Sequence, residues 1–386
     1  MGWAVFLGEA LGLYWAIFAL VMLGWAAANG RVRGVDISTL ALVERGGGTF
    51  RFRGQVVDPL VWLKDRGLNT ARLRLWVDPV ADGDGRYGLG YTLALAERAH
   101  QAGLGVFLNF HYSAFWADPE HQEKPPAWQG LGYEALVEQV YGYTRTVLLR
   151  FGERGVAPTL VQIGNEIEAG LLWPEGKTWG EGSGGFARLI PLLQAGIRAV
   201  REVFGKRVGV VLHLSRGGDG SLYRWWLDSA LVAGLRLEDF DAVGVSYYPY
   251  WHGSLRDLEA NLRQIVDRYR KPVLVAETAY PFTLEDADGY PNIASEELAR
   301  RAGFPPTPEG QVAFLRALKG VVCALPEGYG WGWIYWEPLW LAVPGAGWRR
   351  GEGNPWENQA LVDFTGELRE APWQVLGTPC EAEEGR

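Results

Sequence analysis

The sequence predicts a single-domain α/β protein, a (β/α)8 TIM barrel, on three observations. Short runs rich in β-branched and aromatic residues recur eight times between residues 32 and 336. Amphipathic stretches separate them, the alternation expected of a sheet covered by helices. No Gly-rich dinucleotide fingerprint follows the first run, which removes the doubly wound open sheet as a competitor.

The strand candidates are VRGVDIS (32–38), TARLRLWV (70–77), LGVFLNFHY (104–112), TLVQIGN (159–165), VGVVLHL (208–214), FDAVGVSYY (240–248), PVLVAET (272–278) and GWGWIYW (330–336). Between them, residues 91–103, 133–153 and 255–270 repeat apolar positions at helical spacing. No linker or repeat divides residues 31–370, the expected barrel, and an acidic tail is expected over 371–386. Residues 10–28 carry no charge and end in small residues before Asn29-Gly30, the pattern of a secretory leader. Nothing basic precedes them and Glu9 is acidic, so the competing reading of residues 1–30 is an uncleaved membrane anchor. Export to the extracellular space is the expectation.

Composition excludes several classes. A formal charge of −8 without a basic block argues against nucleic-acid binding. Cys323 and Cys380 allow one bridge, and exclude a disulfide framework or a cysteine zinc site. The 19 Trp outnumber the 15 Phe, and since a buried indole N–H needs a partner, some should line grooves.

Barrel chemistry sits at the C-terminal ends of the strands. That rule places Glu166, directly after the fourth run, and Glu277, closing the seventh, at the same mouth. Glu168 lies further out and is expected to be solvated or to support the site. On the second run Arg72 and Arg74 share a face with Trp76. Arg74, nearer the strand end, is the expected partner that keeps Glu277 ionised, against a buried ion network as the competing role.

Asn165-Glu166 and Glu277, together with GVDIS, LNTARLRLWVDP, HYSAFWADPEHQEKPPAW, VGVSYYPYWHGSL, IYWEPLW and WENQALVDF, resemble glycoside hydrolase family 53, the clan A endo-β-1,4-galactanases. The resemblance implies retaining hydrolysis of β-1,4-galactan, with Glu166 as acid/base and Glu277 as nucleophile, and requires no cofactor. It implies that Asn165 binds the sugar 2-hydroxyl and that Trp336 underlies the central sugar. His111, Tyr112, Tyr247 and Tyr248 would shape the central subsite, and Trp116 and Trp251 outer ones. Asp36, Arg74 and Trp76 complete the substrate-binding set. Core packing is the competing role, and alternation does not decide which of Tyr247 and Tyr248 points inward. The family's Asp after HYS is Ala114 here, with Asp118 the nearest substitute.

In EDADGYPN, Asp286, Asp288 and Asn292 alternate around Gly289, the oxygen-rich chemistry calcium prefers. The resemblance adds Glu357 and implies a structural calcium, although Tyr290 replaces the histidine usual there. The expected partner is a polysaccharide, with the chain acting as a monomer and touching a membrane only through an uncleaved leader. The rivals are another clan A β-1,4-glycanase, a glucanase or mannanase, and a galactan-binding protein without catalysis.

Overall fold

The computed structural model describes residues 30–79 and 85–380. Eight parallel strands close into a barrel: β1 (Val32–Asp36), β2 (Thr70–Leu75), β3 (Gly105–Phe110), β4 (Leu160–Ile163), β5 (Gly209–Leu214), β6 (Ala242–Ser246), β7 (Val273–Thr278) and β8 (Gly330–Trp336). Each pairs with the next in sequence, and β8 returns to β1 through pairs such as Val35 with Tyr335. The expected (β/α)8 barrel is the observed fold.

The helices form where the sequence caps them. Ser254 and Asp257 exchange hydrogen bonds with each other's backbone N–H in a capping box, starting the helix Leu255–Tyr269. That helix buries Leu258, Leu262, Ile265, Val266 and Tyr269, one stripe at three- and four-residue spacing. Thr307 caps Pro308–Cys323, with Pro308 in the first turn where no N–H is needed.

The barrel interior is divided along its axis. Val32, Phe107, Leu160, Val211, Ala242, Leu274, Trp331 and Ile334 form a separate apolar cluster. Toward the strand C-termini the buried set becomes polar, with Asp36, Arg72, Asn109, Gln162, His213, Ser246 and Glu277. The mouth is therefore a charged layer resting on an apolar plug.

Two sequence expectations about the chain's ends need restating. The tail does not begin at 371: Glu370–Gly377 is a helix whose Trp373 is fully buried and donates to the Leu361 carbonyl, because its apolar face seals the barrel. Cys380 is joined to Cys323 by a disulfide. The leader or anchor reading concerns residues 1–30, of which 1–29 lie outside the described residues, as do the last six tail residues, 381–386, and residues 80–84.

Candidate active site

Glu277 owes its direction to an irregularity in β7. Leu274 faces the barrel interior, so strict alternation would turn Glu277 outward. The pairing of β6 with β7 shifts, however, from Val245–Val275 to Ser246–Glu277, which gives β7 one extra residue. Such a bulge re-aims the following side chain, and Glu277 enters the mouth only 7% exposed. There its Oε1 lies 2.8 Å from Arg72 Nη1, and its Oε2 accepts the Tyr248 hydroxyl at 3.1 Å. The same Arg72 nitrogen donates to Asp36 at 3.0 Å, while its other terminal nitrogen donates to Gln162 and Asn165, both at 3.0 Å. Burial pushes the Glu277 carboxyl up, and the Arg72 charge opposes that push.

Glu166 is aimed by backbone geometry of a different kind. After β4 ends, Gly164 and Glu166 both take positive φ, 78° and 48°. Only glycine fits at 164, because an added Cβ would meet Ile167 Cγ2 at 2.5 Å. The strained Glu166 backbone is clamped by Gln122, whose amide donates to the Asn165 carbonyl at 2.7 Å and the Glu166 carbonyl at 3.3 Å. The Glu166 carboxyl opens partly to the cleft, and Oε1 accepts from Ser246 at 2.5 Å. Burial first, and then the charge of Glu277, push Glu166 well above the usual carboxylate range. The two glutamates thus differ in kind: one faces a guanidinium, the other a carboxylate.

His111 lines the cleft, and its Nδ1 accepts the Ala117 N–H at 3.2 Å. Burial and the flanking Arg74 and Arg72 hold it neutral, far below the usual imidazole range. The proton therefore sits on Nε2, a donor free for a sugar hydroxyl. Asn165 offers its amide to Ala117 and takes Arg72 on its oxygen. Trp116, Trp251 and Trp336 all line the cleft, together with Asp36, Arg74, Asn165 and Tyr248. Trp251 is the exposed one at 47%, whereas Trp116 and Trp336 present single faces from a buried aromatic block. Trp348 stacks on Trp116, Trp356 meets Trp336 edge-on, and both line the cleft too.

Several expectations are corrected. Arg74 does not pair with Glu277. It lies one pleat beyond Arg72, pairs with the buried Glu337 and sits 4.4 Å from the Trp116 ring centre. Glu337 turns inward through a positive φ of 51° after β8, and also accepts the Thr39 N–H and hydroxyl. Trp76 does not line the cleft; it stands behind Trp116 in an edge-on contact. Tyr112 has φ 53°, which swings it outward to Thr144 at 2.7 Å. Tyr247 likewise points away, its hydroxyl donating to the Gly253 carbonyl, and Tyr248 is the inward member of the pair. Glu168 is buried rather than solvated and accepts the Ser215 N–H and hydroxyl. Asp118 reaches the cleft wall, but His121 and two backbone N–H groups occupy its carboxylate, so it is no free replacement at Ala114.

Away from the cleft, carboxylate oxygens of Asp286, Asp288 and Glu357 lie within 4.8 Å of one another. Glu357 Oε2 and Asn292 Oδ1 are buried and find no donor among the described residues. Burial pushes Glu357 up to about 7. Asp288 also accepts the Asn354 N–H at 2.7 Å, linking the loop after β7 to the loop after β8.

Residues 32–372 match the family model described as glycosyl hydrolase family 53. The chain belongs to that family. Among its relatives, a Niallia circulans protein is 41% identical over 87% of this chain and 91% of its own length. The arabinogalactan endo-beta-1,4-galactanase of Thermothelomyces thermophilus is 37% identical over 80% of this chain and 90% of its own. The Ignisphaera aggregans GH53 catalytic domain superposes with a TM-score of 0.83 at 39% identity, covering 90% of this chain and 95% of that one. The family 53 chain is a glycoside hydrolase, and its cleft holds the two carboxyl groups that such chemistry needs.

The buried ion pairs predict unequal costs of substitution. Glu337→Gln leaves Arg74 buried without a carboxylate and should lower unfolding free energy by about 3–5 kcal/mol. Glu277→Gln should cost clearly less, because Arg72 keeps Asp36. Denaturant unfolding of both variants checks this; equal losses would show that Glu337 is no more than one polar contact among many.

Proposed function

We propose that this family 53 enzyme cleaves internal β-1,4-galactosidic bonds of galactan and type I arabinogalactan by a retaining double displacement. The observation that carries the mechanism is the unequal setting of the two carboxyls. Arg72 and the Tyr248 hydroxyl hold Glu277 as the carboxylate, while burial beside that carboxylate keeps the proton on Glu166. Glu277 attacks the anomeric carbon as Glu166 protonates the departing glycosidic oxygen. Glu166, now ionised, takes a proton from water as that water releases the sugar from Glu277. Asn165 and the Nε2–H of His111 bind sugar hydroxyls, and Trp336 supports the ring facing them. The substrate is supported by the relatives named arabinogalactan endo-beta-1,4-galactanases. One chain completes the cleft, which supports a monomer as the working unit.

Reducing ends should appear from linear β-1,4-galactan, and Glu166→Ala or Glu277→Ala should lower that rate about 10²–10⁴-fold with the fold intact. Activity should fall at low pH as Glu277 takes a proton and at high pH as Glu166 loses one; the window is wide because Glu166 is the more strongly raised. Hydrolysis of cellulose or mannan instead would overturn the substrate. Binding of galactan without new reducing ends would overturn the enzyme reading.

We further propose that Asp286, Asp288, Asn292 and Glu357 hold a structural calcium. The two orphaned buried oxygens and the crowded carboxylates fit a divalent ion, which would neutralise them. Calcium should raise the melting temperature, and Glu357→Gln should abolish the rise; a wild-type melting temperature indifferent to calcium and to chelator would refute the site.

Export is the accompanying proposal. The Cys323–Cys380 bridge suits an oxidising compartment, and no described helix is long and apolar enough to cross a membrane. Intact-mass analysis of protein from the culture medium should find the chain starting near residue 30. Full-length chain held in the membrane fraction would favour an anchor.

A further inference from the structure

His213 and Ser246 were not among the residues that the motifs single out, yet they form a buried chain ending on Glu166. Ser246 Oγ lies 2.5 Å from Glu166 Oε1 and 2.9 Å from His213 Nε2. Both side chains are fully buried.

The direction of this chain follows from its far end. Arg72 can only donate, and it donates to Gln162 Oε1, so the Gln162 nitrogen is a donor. That nitrogen lies 3.1 Å from His213 Nδ1, and its two hydrogens are shared with Asn109 Oδ1 and the Gly164 carbonyl, both at 2.8 Å, and with Asn165 Oδ1 at 3.0 Å. With Nδ1 accepting, His213 carries its proton on Nε2 and donates to Ser246, whose hydroxyl then donates to Glu166. The opposite tautomer would direct Nδ1–H at Asn165 Oδ1, 3.2 Å away. Arg72 and Asn109 already donate to that oxygen, which has two lone pairs. It would also reverse the chain, so that an acidic Glu166 spent its proton on Ser246 rather than on the leaving group.

We propose that Ser246 and His213 are positioning residues that occupy Glu166 Oε1 with a donated hydrogen bond and so keep the transferable proton on Oε2. The inference rests on Glu166 being the acid/base residue. When Glu166 has given up its proton, the same donated bond stabilises the carboxylate until water restores it. Glu277, Glu168 and Asp118 face Glu166 and raise it. Burial and then the Arg72 charge keep His213 neutral, and the His111 and His252 rings that also face it are held neutral by burial. Tyr248 and Tyr223, which also face Glu166, are held protonated by burial.

The sign of one titration decides the matter. In protein labelled with carboxyl-¹³C glutamate, the resonance missing from Glu166→Gln identifies Glu166. Ser246→Ala removes a donor to the charged form, so the Glu166 midpoint should move up. The basic limb of kcat/KM on galactan should move with it, and kcat near neutrality should fall about ten-fold with KM little changed. A midpoint that stays or moves down would overturn the proposal, because a hydroxyl accepting from Glu166 gives the opposite sign. If Ser246→Ala does not fold, His213→Ala should show the same upward direction, and an unchanged midpoint there overturns the proposal equally. The titration needs no substrate, so its failure is distinct from failure of the galactanase reading, which would appear as a wild type that releases no reducing ends.

Discussion

The Arg72 guanidinium is the centre on which the mouth of the barrel is organised. It projects from β2 and bonds to residues on or just beyond β1, β4 and β7: Asp36, Gln162, Asn165 and Glu277. A buried guanidinium is tolerable only when its charge and donors are answered. Each answering group is therefore fixed in turn, and these groups carry the chemistry. Asn165 is held beside Glu166, and Glu277 is held against the guanidinium at the cleft. The ion pair that makes the layer possible is the same one that sets the surroundings of the two glutamates apart.

That layer needs a rigid floor and rigid walls. The floor is the apolar cluster in the lower barrel, a layer of low polarizability in which charge is poorly screened. The walls are tryptophan. Trp116, Trp336, Trp340, Trp348 and Trp356 touch one another in stacked and edge-on pairs. Arg74 sits among them, 4.4 Å from Trp116 and 5.3 Å from Trp336, with Glu337 supplying its counter-charge. A cation against ring faces fixes their orientation as well as their position. The excess of tryptophan over phenylalanine is thus used largely in one block, of which only a few faces meet the cleft.

Much of this was legible in the sequence, and what was not has identifiable causes. The eight strands, their order, and the placing of Glu166, Glu277, Asn165 and Trp336 at one end follow from periodicity and from the rule about barrel mouths. The choice of Arg74 over Arg72 failed because nearness to the strand end is a poor guide to depth: Glu277 sits one pleat lower, where the β7 bulge delivers it. Tyr112 and Glu337 were hidden by positive φ angles at strand ends, which reverse the alternation that a reader counts on. Glu337 stood within a quoted motif, and a buried arginine in want of a carboxylate was the signal that could have found it. Gln122 and Ser246 lie within the family-like motifs without a role attached to them, and His213 lies outside those motifs. Their roles exist only once distant strands are brought together.

The loops after β7 and β8 extend this logic from the layer to the outer cleft. Trp348 and Trp356, which form part of the cleft wall, belong to the same loop as Asn354, whose N–H is held by Asp288. Asn358 in turn donates to the carbonyls of Thr283 and Ala294, and Tyr290 to Glu352. The acidic group at Asp286, Asp288 and Glu357 therefore lies where the two loops are stitched together. Repulsion among those carboxylates works against the stitching, and whatever neutralises them strengthens it. The acidic cluster outside the cleft and the loop that carries two indole rings into it are in this way joined by side-chain hydrogen bonds between the two loops.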